Sequence, residues 1–144
     1  MQVTHTDLKP ENLLIGRQGQ IKICDFGASQ KHISGDYALK GFYVAGELST
    51  LWYRAPELLL GSSTFNNKID LWAIGCIMME MLSGAVAFPG QEGVQFRSPY
   101  PDVSHSNFNS DQVRKVLSLA GTPTPKSLDG FSCACLIKVQ KYKY

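Results

Sequence analysis

Residues 5–15 read HTDLKPENLLI, and residues 25–27 read DFG. The first stretch places an acid, a lysine, a second acid and an amide in one short span, from Asp7 to Asn12. It shows little apolar periodicity before Leu13, so the pattern predicts a loop. A loop of this composition holds polar side chains for chemistry, and the elements around it determine where those side chains point.

Two short β-prone runs, residues 13–15 and 21–23, flank the turn-forming residues 16–19, which read GRQG. This pattern predicts a β-hairpin. The hairpin brings Asn12, just before one strand, close to Asp25, just after the other. Their side chains carry oxygen atoms, and Mg²⁺ prefers oxygen ligands while sharing its shell with phosphate and water. Asn12 and Asp25, brought together in this way, therefore suit a magnesium ion.

The bulk composition is that of one globular domain, with 144 residues, 44% apolar residues and 18% charged residues. A net charge of +2 indicates neither nucleic acid nor a membrane surface as a partner. The N-terminus does not resemble a secretory signal, so we expect an intracellular protein, cytoplasmic or nuclear, with reduced thiols. Cys133-Ala-Cys135 has no second cysteine pair and no nearby histidine, so we do not expect it to bind metal.

An apolar run from residue 71 to 88 contains only Glu80 as a charged residue and approaches the length of a membrane helix. Lys68 and Asp70 directly precede it, and Ser83-Gly84 interrupts it. We therefore predict a central helix over residues 68–82 that is buried over most of its surface, and no membrane span.

Helix-capping residues define two helices. Asn66 or Asn67 can open the central helix, and Gly84 ends it. Ser110 can cap a second helix over residues 111–120, whose apolar positions share one face. These positions are Val113, Val116, Leu117 and Ala120. Between the helices, residues 91–109 are irregular and predict an exposed loop.

The combination of HTDLKPEN and DFG, in that order, resembles the catalytic core of a eukaryotic protein kinase. Residues 50–61, TLWYRAPELLLG, narrow the resemblance to the CMGC group, which contains the cyclin-dependent and MAP kinases. Residues 70–76, the FPG turn at 88–90 and the GTPTP turn at 121–125 also resemble segments of these kinases. Compared with that family, residues 91–109 resemble an insertion.

The resemblance implies an α+β fold, mainly α-helical, in which a small β-hairpin carries the catalytic loop and DFG within a partial C-terminal lobe. The kinase-like domain would span residues 1–130, and residues 131–144 form an unassigned tail. The implied activity is transfer of a phosphoryl group from ATP, with Mg²⁺, to a serine or threonine of a protein substrate. A regulatory partner of cyclin type is also implied.

Five residues receive roles from the resemblance. Asp7 corresponds to the catalytic base, and Lys9 to the cation that neutralises the transferring phosphoryl group. Asn12 and Asp25 correspond to the Mg²⁺ ligands, so Lys9, Asn12 and Asp25 together would hold ATP and its metal. Thr50 corresponds to the threonine whose hydroxyl bridges the catalytic aspartate and lysine; alternatively, it is an ordinary threonine of a turn.

Two further residues have implied roles. Asp70 would accept hydrogen bonds from the catalytic-loop backbone near His5 and Thr6; alternatively, it is an acid that the helix dipole favours in a first turn. Arg54 corresponds to an arginine associated with a preference for proline after the phosphorylated residue.

Two positions depart from the family pattern. Thr6 stands where most kinases have an arginine that pairs with a phosphate, and threonine cannot make that bidentate pair. Ala45 stands where the CMGC group usually has the phosphorylated threonine. The HTD variant also occurs in the LAMMER kinases, so Thr6 does not indicate inactivity. It argues against activation by a phosphate docked on this loop.

The chain contains no glycine-rich phosphate loop and no VAIK-type lysine before His5. We therefore expect the isolated chain to lack useful phosphoryl transfer, with activity belonging to a complete protein. Alternatively, the chain is a truncated pseudokinase that acts as a protein-binding module, or a remnant without function.

Overall fold

The computed structural model describes residues 2–32, 37–38, 48–60, 62, 64–91 and 110–124. The strands are β1 Gln2–Thr4, β2 Leu13–Ile15, β3 Ile21–Ile23, β4 Gln30–His32, β5 Tyr37–Ala38 and β6 Thr64–Phe65. The α-helices are α1 Pro56–Leu59, α2 Lys68–Ser83 and α3 Ser110–Ala120, and there are 3-10 helices at Pro10–Asn12 and Leu51–Tyr53. The fold class is α+β with mostly helical structure, as expected.

The predicted hairpin is present as the antiparallel pair β2–β3, in which Leu13 lies opposite Ile23. Its turn closes with a 2.8 Å bond from the Gly16 amide to the Gln20 carbonyl. Gly19 has φ +78°, a conformation that glycine adopts without strain. The chain on both sides of the hairpin is therefore held close together.

Two further antiparallel pairs, β1–β4 and β5–β6, join segments that are distant in the sequence. In the first pair, Val3 lies opposite Lys31. This pairing places the start of the chain beside the segment that follows Asp25-Phe26-Gly27. The sequence did not predict either pair, because neither has a local turn that fixes its register.

The central helix begins and ends where the capping residues predicted. The Asn66 side chain accepts a 3.0 Å hydrogen bond from the Lys68 amide, whereas Asn67 makes no capping bond with its side chain. Gly84 adopts the left-handed conformation with φ +72°, and its amide donates to the Glu80 carbonyl at 2.8 Å. This is the usual glycine termination of a helix.

The prediction that α2 is buried over most of its surface is wrong. Its buried residues form one face and are Ile69, Ala73, Cys76 and Ile77. On the other side, Leu71, Met81 and Leu82 expose 64%, 76% and 87% of their surface. An apolar composition indicates that burial is favourable, but it does not specify which faces the neighbouring elements cover.

Within the described residues, the core consists of two clusters that meet at Trp72. The larger cluster packs the inner face of α2 against α3 and the Leu51–Tyr53 helix. The smaller cluster contains Leu48, Ala55, Leu58, Phe65 and Ile69. Trp72 packs against both clusters and stacks on Phe88, with ring centroids 5.9 Å apart. Both clusters lie around the segment that leads from Thr50 to the central helix.

Helix α3 begins at Ser110 itself, so this residue lies in the helix and not before it. Val113, Val116, Leu117 and Ala120 share one face of this helix, as predicted; the first three are buried, and Ala120 is exposed at the end of the helix. The buried face packs into the larger cluster and fixes the FPG turn against the core. The Gly90 amide donates to the Gln112 side-chain oxygen at 2.9 Å.

Among the described residues, no helix combines the length and the apolar character that a membrane crossing requires. Several sequence predictions fall outside the described residues. They concern Ala45, the loop up to Asn109 apart from Gln91, Pro125, the Cys133-Ala-Cys135 pair and the tail over residues 131–144.

Candidate active site

The catalytic loop turns sharply at Thr6, whose φ is +73°. A β-branched residue in this conformation carries strain of about 1–3 kcal/mol. The Asp70 carboxylate offsets it by accepting the His5 amide at 2.7 Å and the Thr6 amide at 2.9 Å, one on each oxygen. These charge-assisted bonds confirm the predicted contact between Asp70 and the loop backbone, which a dipole effect alone would not produce.

The His5 ring links this loop to the hairpin. Its Nε2 donates to the Cys24 carbonyl at 2.9 Å, so Nδ1 is free to accept the Asp7 amide at 3.3 Å. Its ring also meets Phe26 edge to face, with centroids 5.0 Å apart. Because His5 is buried, these contacts hold the backbone of Asp7 beside the segment that contains Asp25.

Three side chains predicted to act together do meet. Asp7 Oδ1 accepts hydrogen bonds from the Thr50 hydroxyl at 2.7 Å and from the Thr50 amide at 2.8 Å. Lys9 Nζ lies 2.9 Å from Asp7 Oδ2 and donates to the Thr50 hydroxyl at 3.1 Å. Thr50 therefore contacts both residues, although it is more than forty positions away in the chain.

Both charged groups of this cluster are stabilised in their ionised forms. Burial raises the pKa of Asp7, but hydrogen bonds from Thr50 and Lys9 outweigh burial, so the pKa lies below its usual value. The hydrogen bond to Asp7 raises the pKa of Lys9. At neutral pH the site therefore presents a carboxylate beside an ammonium group. This pair can orient a hydroxyl and stabilise added negative charge.

The Asn12 side chain spans the loop, donating from Nδ2 to the Asp7 carbonyl at 2.8 Å. Its amide oxygen is then left to accept a bond or bind a cation. On the hairpin, the Cys24 amide donates to the Asn12 carbonyl at 3.0 Å. This bond holds the Cys24 backbone beside Asn12, so Asp25, the next residue, begins close to Asn12.

Asp25 has φ +61° and its side chain is exposed. Its carboxylate accepts a weak hydrogen bond of 3.4 Å from the Gly27 amide. Among the described residues there is no group of three or more His, Cys, Asp or Glu side chains that could hold a metal. Asn12 and Asp25 fit Mg²⁺ nonetheless, because this ion takes few protein oxygens and completes its shell with phosphate and water.

Arg54 holds the backbone just before Thr50 in an unusual conformation. Ser49 has φ +70°, and its carbonyl accepts the Arg54 Nη2 at 2.7 Å and Nε at 3.3 Å. Arg54 is buried. The sequence identified Arg54 but gave no signal for Ser49, because a left-handed serine has no distinctive pattern.

Two contacts between the catalytic loop and the segment after DFG were not predicted from the sequence. The Thr6 hydroxyl donates to the Ala28 carbonyl at 2.9 Å, and the Ser29 hydroxyl donates to the His5 carbonyl at 3.3 Å. A signal for the first contact was available. Threonine replaces the long arginine side chain at this position, and its short side chain carries a hydroxyl that can bond to nearby backbone.

Comparisons with known proteins agree with this geometry. The sequence-family model named "Protein kinase domain" matches residues 1–116. A protein of Oryza sativa subsp. japonica named "Putative cyclin-dependent kinase F-2" is 39% identical over 130 residues, which are 90% of this chain and 33% of that protein. Cyclin-dependent kinase 14 of Xenopus tropicalis is 32% identical over 140 residues, which are 97% of this chain and 28% of that protein.

Among solved structures, the yeast RNA Pol II CTD kinase CTDK-1 complex contains a similar chain, with a TM-score of 0.65 and 31% identity. The match covers 86% of this chain and 34% of that chain. This chain thus spans about a third of the length of the relatives that it matches. The catalytic-loop geometry and the match over residues 1–116 lead to one conclusion: this chain belongs to the protein kinase family, and the relatives named are cyclin-dependent kinases of the CMGC group.

Proposed function

We propose that the full-length protein transfers the γ-phosphoryl group of ATP to a serine or threonine hydroxyl of a protein substrate. The observation that carries the proposal is the Asp7–Thr50–Lys9 cluster, in which one threonine hydroxyl contacts both charged groups. Phosphoryl transfer depends on positioning and charge stabilisation more than on covalent chemistry, and these groups provide both.

In this reaction Asp7 accepts a hydrogen bond, and then the proton, from the substrate hydroxyl. Lys9 contributes positive charge next to the transferring group, and Thr50 fixes the distance between Lys9 and Asp7. Asn12 and Asp25 are the residues that would hold Mg²⁺. When bound, the ion supplies charge neutralisation between the phosphates.

The test is an Asp7→Asn variant of the full-length protein. The amide keeps the shape of the side chain but cannot accept a proton, so kcat should fall by about 10²–10⁴-fold. Transfer of radiolabelled phosphate from ATP to a library of serine and threonine peptides measures it. Glu11→Gln, a charge change at an exposed neighbour, is the matched control and should leave kcat unchanged. Undiminished kcat in Asp7→Asn would refute the base assignment, and a wild-type protein without transfer would refute the function.

Arg54 supports a proposal about the substrate: proline follows the phosphorylated residue. Because Arg54 occupies the Ser49 carbonyl, that carbonyl is not available to a substrate amide. Proline is the residue without a backbone N–H, so it loses nothing at such a position. Any other residue would bury an unpaired donor.

Two peptides that differ only in proline or alanine after the serine test this specificity. We expect kcat/KM to be about tenfold or more higher for the proline peptide, since a buried unpaired donor costs about 1–3 kcal/mol. Equal values for the two peptides would rule out the proposed preference.

We further propose a regulatory partner of cyclin type, since the relatives are named as cyclin-dependent and the structural neighbour is a complex. Co-purification of the full-length protein with a candidate cyclin, followed by a kinase assay of the pair, tests this. Activity of the protein alone that the cyclin does not increase would oppose it.

For the 144-residue chain by itself, we propose weak ATP binding and no useful transfer. Apolar residues near Asp25 are open to solvent, among them Leu14, Ile23 and Phe26. An open surface buries little of a nucleotide, so its affinity is low. Calorimetric titration of the chain with Mg·ATP measures the affinity, and tight binding would contradict the proposal.

A further inference from the structure

We propose that Thr6 is a positioning residue: its hydroxyl holds the segment over residues 25–29 in place relative to Asp7. This inference rests on the proposed phosphoryl transfer for its functional consequence. It goes beyond that function because it assigns a task to the residue that departs from the arginine usual at this position. Thr6 does not contact the reacting groups, so its role is indirect.

Burial and a fixed backbone restrict the Thr6 side chain. It is 2% exposed, and the Asp70 carboxylate fixes the two peptide groups on either side of His5 by accepting the His5 and Thr6 amides. Thr6 has φ +73°, and its hydroxyl donates to the Ala28 carbonyl at 2.9 Å. The next residue, Asp7, begins the reactive cluster.

The other end of this bond is tied to Asp25. The Ser29 amide donates to the Phe26 carbonyl at 3.0 Å, which closes the turn over residues 26–29. A bond to Ala28, inside this turn, therefore limits movement of the turn, and Asp25 directly precedes its first residue. Asp7 directly follows Thr6, and Asp25 lies three residues before Ala28. The distance between the carboxylates of Asp7 and Asp25 should therefore depend on the Thr6 hydroxyl.

The Ser29 hydroxyl makes a second contact with the catalytic loop, at the His5 carbonyl, but this bond is longer, at 3.3 Å. Farther from the site, the pairing of β1 with β4 joins the same two segments of the chain. Both bonds join neutral groups, so they do not depend on a phosphate. Hydroxyl groups therefore hold the catalytic loop at the position where an arginine in place of Thr6 would need a phosphate as its partner.

Three variants of the full-length protein test this role. Thr6→Val removes the hydroxyl and keeps the shape, Thr6→Ser keeps the hydroxyl, and Thr122→Val makes the same change at an exposed threonine after α3. The measurements are kcat and KM for a serine peptide, and hydrogen–deuterium exchange over residues 25–32 without nucleotide. If Thr6→Val does not fold, Thr6→Ala, which lacks the hydroxyl and needs less space, takes its place.

In Thr6→Val, kcat should fall about tenfold while the peptide KM stays the same, and exchange over residues 25–29 should accelerate about tenfold. Thr6→Ser and Thr122→Val should match the wild type. Phosphatase treatment of the wild type should leave exchange at residues 25–29 unchanged. Wild-type kcat and exchange in Thr6→Val, or equal losses in Thr6→Ser, would overturn the proposal.

The exchange measurement also separates this inference from the proposed function. If the wild type transfers no phosphate, the proposed function fails and kcat carries no information. Faster exchange in Thr6→Val but not in Thr6→Ser would then still support the hydroxyl contact as the element that positions Asp25. Equal exchange in both would refute it.

Discussion

At the scale of single residues, the site is built from groups that satisfy one another before any substrate is present. Asp7 accepts two bonds from Thr50 on one oxygen and faces Lys9 with the other. These contacts determine the charge of the carboxylate as well as its place. Removing one donor should therefore change the pH dependence of activity together with its magnitude.

Thr50→Val tests this coupling in the full-length protein. A hydrogen bond to a charged group is worth about 1.5–3 kcal/mol, so kcat/KM should fall by about 10–100-fold. The Thr50 hydroxyl lowers the pKa of Asp7, so its loss should raise that pKa and move the acidic limb of the pH profile toward neutral pH. Thr50→Ser keeps the hydroxyl and should keep the wild-type profile. An unchanged acidic limb in Thr50→Val would show that Asp7 does not control it.

At the scale of elements, two glycines differ in whether the surrounding structure leaves room for a Cβ atom. A Cβ at Gly90 would lie 2.0 Å from the Gln112 side-chain oxygen and 3.0 Å from its Cα, because the FPG turn packs directly on α3. A Cβ at Gly75, on the exposed side of α2, would meet nothing within 4 Å. The same substitution should therefore have opposite effects at these two positions.

Gly90→Ala should destabilise the protein by about 1–3 kcal/mol, because it forces Gln112 away from the turn. Gly75→Ala should stabilise it by about 0.5–1 kcal/mol, because alanine is the better helix former and has room. Urea unfolding followed by circular dichroism measures both changes, and each variant serves as the control for the other. Destabilisation by Gly75→Ala would mean that another part of the molecule covers this side of α2.

The sequence predicted the elements that neighbouring residues determine. The GRQG turn predicted the β2–β3 hairpin, and Asn66 and Gly84 predicted the ends of α2. The pairs β1–β4 and β5–β6 were not predictable in this way, because their partners are distant and each strand has only two or three residues. The backbone at Thr6, Asp25 and Ser49 was also out of reach. At Thr6 and Ser49, contacts with the Asp70 and Arg54 side chains hold the backbone at positive φ, and local preferences do not.

At the scale of the whole molecule, the main departure from expectation is the exposed side of α2. Its apolar residues lie at spacings that place them on one face, which we call the outer stripe. They are Leu71, Ile74, Met78, Met81 and Leu82. Single exposed apolar residues are common on protein surfaces, but a contiguous stripe is an interaction or aggregation surface. The inner face, in contrast, is fully used by the core.

The 144-residue chain should therefore bind a hydrophobic dye and self-associate through the outer stripe. Met81→Lys with Leu82→Lys replaces its two most exposed residues while keeping good helix formers, so α2 should persist. We expect this double variant to lower dye fluorescence and to shift the chain toward monomer in light scattering. Leu119→Lys, at an exposed leucine outside the stripe on α3, is the matched control and should change neither measurement. A wild-type chain that is monomeric and binds no dye would show that the stripe is covered in solution, and an equal effect of Leu119→Lys would show that added charge alone, and not the stripe, controls association.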